Sequence, residues 1–193
     1  MEAQKWQALY RCMEEEAQAF FTLFSEVCIC CYQVSEANGS PSDNCCRRCN
    51  FVPEICADPL LNALATASGG IAVLSAINGP GCAALGEQGC VLPFGRTPTC
   101  YRYVCAYFYR SASTALPPGL MYRIEQALEV FHLVRCSAAR GDMPGYAACA
   151  VQVDAVIALL RTAAQSLREN AAAFATRKAL VIEDMRTPAA KHH

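Results

Sequence analysis

Cysteine placement constrains this chain more than any other feature. It has fourteen cysteines, and eight of them fall between Cys45 and Cys105. The stretch opens with Cys45-Cys46-Arg47-Arg48-Cys49, passes Cys56 and Cys82, and closes with Cys90, Cys100 and Cys105. Sulfur concentrated in this way is oxidised in pairs, packed in a core, or bound to metal. At 193 residues the chain can bury a core without the covalent staples that small secreted domains need. Met1-Glu2-Ala3-Gln4-Lys5 leads into a charged amphipathic pattern and lacks the basic start, apolar run and cleavage site of a signal peptide. The expected location is therefore cytoplasmic, where thiols stay reduced and serve as ligands or buried side chains. Adjacent Cys45 and Cys46 are also poor disulfide partners, because a trans peptide disfavours the required separation and torsion.

Charge and motif content remove several function classes. The net charge is −1, with neither sign concentrated enough to neutralise a phosphate backbone, so no nucleic-acid partner is expected. Residues 59–86 carry no charge, yet Asn62, Thr66, Ser68, Gly69, Gly70, Ser75, Asn78, Gly79 and Pro80 interrupt them. A buried, broken helix explains that run better than a spanning one, and no membrane insertion is expected. No serine–histidine–acid set, phosphate loop or H-E-x-x-H helix is present, so the sequence leaves open whether the protein is an enzyme. The Glu14-Glu15-Glu16 run reads as a solvated face.

Outside the cysteine segment, periodicity points to helix. Trp6, Leu9, Met13, Ala17, Phe20, Phe24, Val27 and Cys31 recur at spacings of three and four, predicting one helix over 3–34. On that helix Cys28 and Cys31 share the core face and Cys30 points elsewhere. Asp58 before Pro59 is a helix start, with helix to about 78 and a break at Gly69-Gly70. Met121, Ile124, Leu128 and Phe131 mark a helix over 120–138. Val153, Val156, Leu160, Ala164, Leu167, Ala171 and Phe174 mark another over 145–184. The expected fold is one mainly α domain over 1–193: an antiparallel helical bundle carrying an irregular cysteine-rich metal-binding insertion at 45–105. Cys12, Cys136 and Cys149 lie on helices outside this segment and read as core thiols. His132 stands four residues before Cys136, so the two share a helix face, which suits either metal ligation or simple packing.

Within the segment, Cys46-Arg47-Arg48-Cys49 has the spacing that places two sulfurs on one ion. Gly89-Cys90, then Arg96 and Pro98, then Cys100, Arg102 and Cys105, resemble the closing half of the YkgJ family of cysteine-cluster proteins, described as zinc- or iron-chelating domains. Flagellin lysine methylases carry related cysteine patterns. The resemblance covers roughly residues 45–105. The opening half differs, since Cys45-Cys46-x-x-Cys49 is separated from Cys28-x-Cys30-Cys31, and Thr97 separates the arginine from the proline. What the resemblance implies is metal binding, with an iron–sulfur cluster, 4Fe-4S in type, as the leading cofactor and zinc as the alternative.

The candidate ligands are Cys45, Cys46, Cys49, Cys56, Cys82, Cys90, Cys100 and Cys105, with Cys28, Cys30 and Cys31 as further candidates. Arg96 and Arg102 lie beside candidate ligands and could offset the negative charge of a thiolate-held cluster. The functions in play are electron transfer, cluster-dependent modification or sensing by an iron–sulfur protein. A zinc-stapled interaction module with a protein partner and a thiol-based metal storage or trafficking protein are the alternatives.

Overall fold

The apolar stripe that begins at Trp6 makes a helix that ends sooner than its period predicts. The computed structural model describes residues 2–37, 52–70, 85–86, 89–90, 92–102 and 104–187, and these are mainly helical. Where one helix was expected over 3–34, α1 (Glu2–Thr22) and α2 (Ser25–Ala37) meet at Leu23-Phe24 with their axes 69° apart. At the corner Leu23 N–H donates to Phe20 O, Phe24 N–H to Phe21 O and Val27 N–H to Phe24 O, all three-residue spans that tighten the turn. Aromatic packing holds the corner. Phe24 stacks on Phe108 at 4.7 Å and stands edge-on to Phe174 at 5.3 Å. The bend also resets the buried face, so Cys30 is buried and Cys28 and Cys31 are half-buried, the reverse of the expected order.

Between residues 52 and 102 the described elements are short: α3 (Val52–Ala57), α4 (Pro59–Ala67), a two-residue antiparallel pair of β1 (Leu85–Gly86) with β2 (Gly89–Cys90), and α5 (Pro98–Arg102). Asp58 caps α4 as expected, its Oδ1 accepting from Leu60 N–H at 2.9 Å and Leu61 N–H at 3.1 Å. Its other oxygen accepts from Arg135 Nε at 2.6 Å, and Glu54 takes a further donor of the same guanidinium, which ties α3 and α4 to α8. The helix expected over 58–78 is described only to Gly70.

The remaining helices are α6 (Ala106–Ala112), α7 (Leu120–Ala127), α8 (Val130–Arg140), α9 (Met143–Glu169) and α10 (Ala171–Arg186). Met121, Ile124, Leu128 and Phe131 are all buried, although Leu128-Glu129 interrupts the helix expected over 120–138. Asp142 caps α9 by accepting from Gly145 N–H at 3.0 Å. Asn170 breaks the helix expected over 145–184, and its side chain donates to Ser166 O and Ala115 O. Past that break Ala171 is exposed and Phe174 returns to the core.

Direction of packing departs from a purely antiparallel arrangement. α8 and α9 are antiparallel neighbours joined by a turn at Gly141-Asp142. The outer legs are parallel: Trp6 meets Tyr146, Glu16 meets Arg161, Glu26 meets Lys178 and Cys30 meets Ile182, contacts that advance together along both chains. Among the described residues α9 is long and apolar enough to cross a membrane by length and composition, as is the bent α1–α2 pair taken together. Here the Val153, Val156, Leu160 and Leu167 stripe of α9 is buried, with α1 packed against the helix.

Candidate functional site

Tyr10, Glu14 and Gln18 stand four residues apart and so form one column on α1. All three grip the backbone of a turn more than seventy residues away, the one carrying Pro93, Gly95 and Arg96. Tyr10 Oη donates to Arg96 O at 2.7 Å, and Gln18 Nε2 donates to Pro93 O. Glu14 Oε1 accepts from Arg96 N–H at 3.0 Å, Oε2 from Gly95 N–H at 2.9 Å, and Tyr101 Oη donates to Oε1 at 2.8 Å. The Tyr101 ring stacks on Phe131 at 4.2 Å, and Arg11 lies over the Phe94 ring at 4.7 Å. From the opposite side α4 closes on Gly95, whose absent Cβ leaves room for the backbone of Leu61 and Ala65. The arginine–proline motif singled out in the sequence is thus a turn hydrogen-bonded to α1 and packed on α4, with Gly95, Thr97 and Pro98 buried and Arg96 half-buried.

That turn delivers two candidate ligands. Cys90 precedes it at the end of β2, and Cys100 follows it on α5, and both are exposed. The Arg96 guanidinium reaches back to bond Leu92 O at 2.9 Å and Cys90 O at 3.4 Å. Burial acts to lower the Arg96 pKa, but Tyr101, Cys90, Cys100 and Glu14 outweigh it and raise the value. Arg96 is therefore a cation whose field reaches both Cys90 and Cys100. The Thr97 hydroxyl lies 3.6 Å from Cys100 Sγ.

Two further sulfurs belong to the same end of the molecule. α2, which carries Cys28 and Cys31, packs against β2, the strand that ends at Cys90. Tyr107 has its pKa raised by burial first and then by the nearby Cys31, with Cys105 adding to the effect. Cys105 is half-buried at the N-cap position of α6. Cys30 instead turns its thiol to Ile182 O at 3.8 Å inside the α2–α10 contact, a packing role. Cys56 is exposed on α3, and its carbonyl accepts from Asn62 Nδ2. Cys45, Cys46, Cys49 and Cys82 lie outside the described residues. Among the described residues no three His, Cys, Asp or Glu side chains converge on one ion-sized site.

Other candidates are placed differently from expectation. Arg102 forms an ion pair with Glu129 on the turn before α8, at 2.5 Å, so its charge is directed at a carboxylate. Cys149 is buried as a core thiol, donating to Ser137 Oγ at 3.8 Å, but Cys12 is exposed. Cys136 is half-buried, with its sulfur 3.4 Å from Nε2 of exposed His132.

Glu14 is a correction to the solvated-face reading. Glu15 is exposed and pairs with Arg11, and Glu16 pairs with Arg161, but Glu14 is fully buried. The available signal was its column: an acid flanked at four residues on each side by Tyr10 and Gln18, immediately beside the Met13 and Ala17 stripe. Burial pushes the Glu14 carboxyl from 4.5 up to about 7, against the opposing effect of its Gly95, Tyr101 and Arg96 donors. The same burial holds Tyr10 and Tyr101 neutral by raising both phenols.

The sign of the resulting pH dependence follows from proton uptake. Between 4.5 and about 7 the folded chain keeps a proton on Glu14 that the unfolded chain has released. This contribution to stability is complete below the unfolded value and is lost as pH rises through the folded one. Stability is expected to fall by about 3 kcal/mol across that window. Urea denaturation at a series of pH values checks it, because Glu14→Gln cannot titrate and should remove that part of the slope. Identical pH profiles for the two proteins would contradict it.

No protein-family model matches the chain, and no curated protein or solved structure matches it.

Proposed function

We propose that this chain binds an iron–sulfur cluster, 4Fe-4S in type, through thiolates of residues 45–105 and uses it to transfer electrons. The observation that carries the reading is the Arg96 turn. One clamped loop carries Cys90 and Cys100 on either side of a single half-buried cation, with α2 packed alongside. A cluster held by several thiolates is an anion, and a preorganised arginine that cannot be deprotonated suits such a charge. When bound, the cluster supplies a reversible electron carrier whose potential follows local charge and hydrogen bonds to sulfur. The chain's own residues do the rest: Glu14, Tyr10 and Gln18 fix the loop, Arg96 supplies positive charge, and the exposed positions of Cys90 and Cys100 keep the path to a partner's redox group short.

The ligand set is drawn from Cys45, Cys46, Cys49, Cys56, Cys82, Cys90, Cys100 and Cys105, with Cys28 and Cys31 as neighbours. The likeness of the closing motif to the YkgJ family supports the same choice. In the finer architecture of this reading, residues 45–105 form a cysteine-rich insertion carried by a helical bundle.

Anaerobic purification followed by iron and acid-labile sulfide analysis tests the proposal. Iron and sulfide in equal amounts are expected, with loss of both in Cys46→Ser, Cys49→Ser, Cys100→Ser and Cys105→Ser, and retention in Cys12→Ser and Cys149→Ser. Zinc without sulfide, or the same metal content in all six variants, would overturn it.

A further inference from the structure

We propose that His132 and Cys136 form a second metal site, an open two-ligand chelate for a zinc-class divalent ion on the outer face of α8. The two side chains are one helical turn apart, and the helix already presents their donor atoms to each other, Sγ to Nε2 at 3.4 Å. A tetrahedral ion with a metal–sulfur bond of about 2.3 Å and a metal–nitrogen bond of about 2.0 Å needs a donor separation of about 3.5 Å. The observed spacing meets that requirement without a change of backbone. His132 is exposed and Cys136 half-buried, so the ion enters from solvent. Phe131 and Val134 take up the buried side of the same helix and fix the orientation of the outer one.

The flanking charges are already engaged, which leaves the pair itself as the available donor set. Glu129, three residues before His132, pairs with Arg102; Arg135 pairs with Glu54 and Asp58; Arg140 donates to Ser137 Oγ. Among the described residues no third His, Cys, Asp or Glu completes a closed site here. Two coordination positions therefore stay with water, and the ion exchanges readily, unlike one in a closed four-ligand structural site. Binding releases the Cys136 thiol proton to solvent as the sulfur–metal bond forms, and neutral Nε2 donates its lone pair.

The test uses the full chain and a readout confined to this sulfur. Trypsin cuts after Arg135 and Arg140, so the peptide Cys136-Ser137-Ala138-Ala139-Arg140 reports alkylation of Cys136 alone. Alkylation by N-ethylmaleimide is followed with and without zinc chloride. With zinc at ten times its dissociation constant, modification of Cys136 is expected to slow by about tenfold, and His132→Ala should abolish that protection. Because His132 is exposed on the outer face of α8, the variant is expected to keep the helical circular dichroism of the parent. Unprotected Cys136 in the parent, or equal protection in His132→Ala, overturns the proposal.

Discussion

Glu14→Ala is expected to lower the free energy of unfolding by about 4 kcal/mol. The carboxylate accepts from Gly95 N–H, Arg96 N–H and Tyr101 O–H, and removing it leaves all three donors without their acceptor. Each buried donor left unsatisfied costs about 1–3 kcal/mol, so three together outweigh the gain from no longer burying an ionisable group. Glu14→Gln keeps one acceptor oxygen and turns its NH2 toward Gly95 N–H, so its cost should be intermediate. Urea denaturation at neutral pH distinguishes the three proteins. A loss below about 1 kcal/mol in Glu14→Ala would mean that solvent satisfies the turn and that the clamp is not structural. Loss of the clamp should also free the turn that carries Cys90 and Cys100, so on the proposed iron–sulfur reading the variant should retain less iron than the parent as well as less stability.

Gly95→Ala is expected to be at least as damaging. The residue has φ +82°, a region that a Cβ disfavours by about 1–2 kcal/mol. Its Cβ would in addition overlap Leu61 O, lie 2.7 Å from Ala65 N and 3.0 Å from Ala65 Cβ. Helix backbone cannot swing aside as a flexible side chain can, so α4 and the turn must separate. The melting temperature is expected to fall by about 10 °C or more, from a loss of about 4 kcal/mol in a chain of this size. Gly119→Ala provides the comparison: φ there is +78°, but no atom lies within 4 Å of the added Cβ. It should cost about 1 kcal/mol, the conformational part alone. Equal losses at the two glycines would show that strain, and not the close approach of α4, sets the requirement for glycine at 95.

Much of the helical pattern was legible because its causes are local. Asp58 caps α4 since an aspartate before Pro59 can reach the N–H groups two and three residues on. Met121, Ile124, Leu128 and Phe131, like Val153, Val156, Leu160 and Leu167, are buried because a repeat of three and four aligns them on one helix face. The Arg96 and Pro98 motif stood out through a family resemblance, which carried no information about how it packs. Where expectation failed, a distant contact decided the outcome. Phe24 packs on Phe108 and Phe174, bends the first helix, and so sends Cys30 inward where continuous periodicity would have chosen Cys28 and Cys31.

The sequence by itself determined helix over most of residues 3–34, 120–138 and 145–184, the start of α4 at Asp58-Pro59, and how densely sulfur is placed between residues 45 and 105, but not the short helices α3, α5 and α6. Tertiary structure alone decided that α1 and α9 run parallel, and that one acid of three beside the stripe is buried. It alone also turned the Arg96 guanidinium back onto the carbonyls of Leu92 and Cys90. The physical reason is one of range: propensity and periodicity act over one or two helical turns, whereas the donors that make a buried Glu14 tolerable come from Gly95, 81 residues away, and its neighbours.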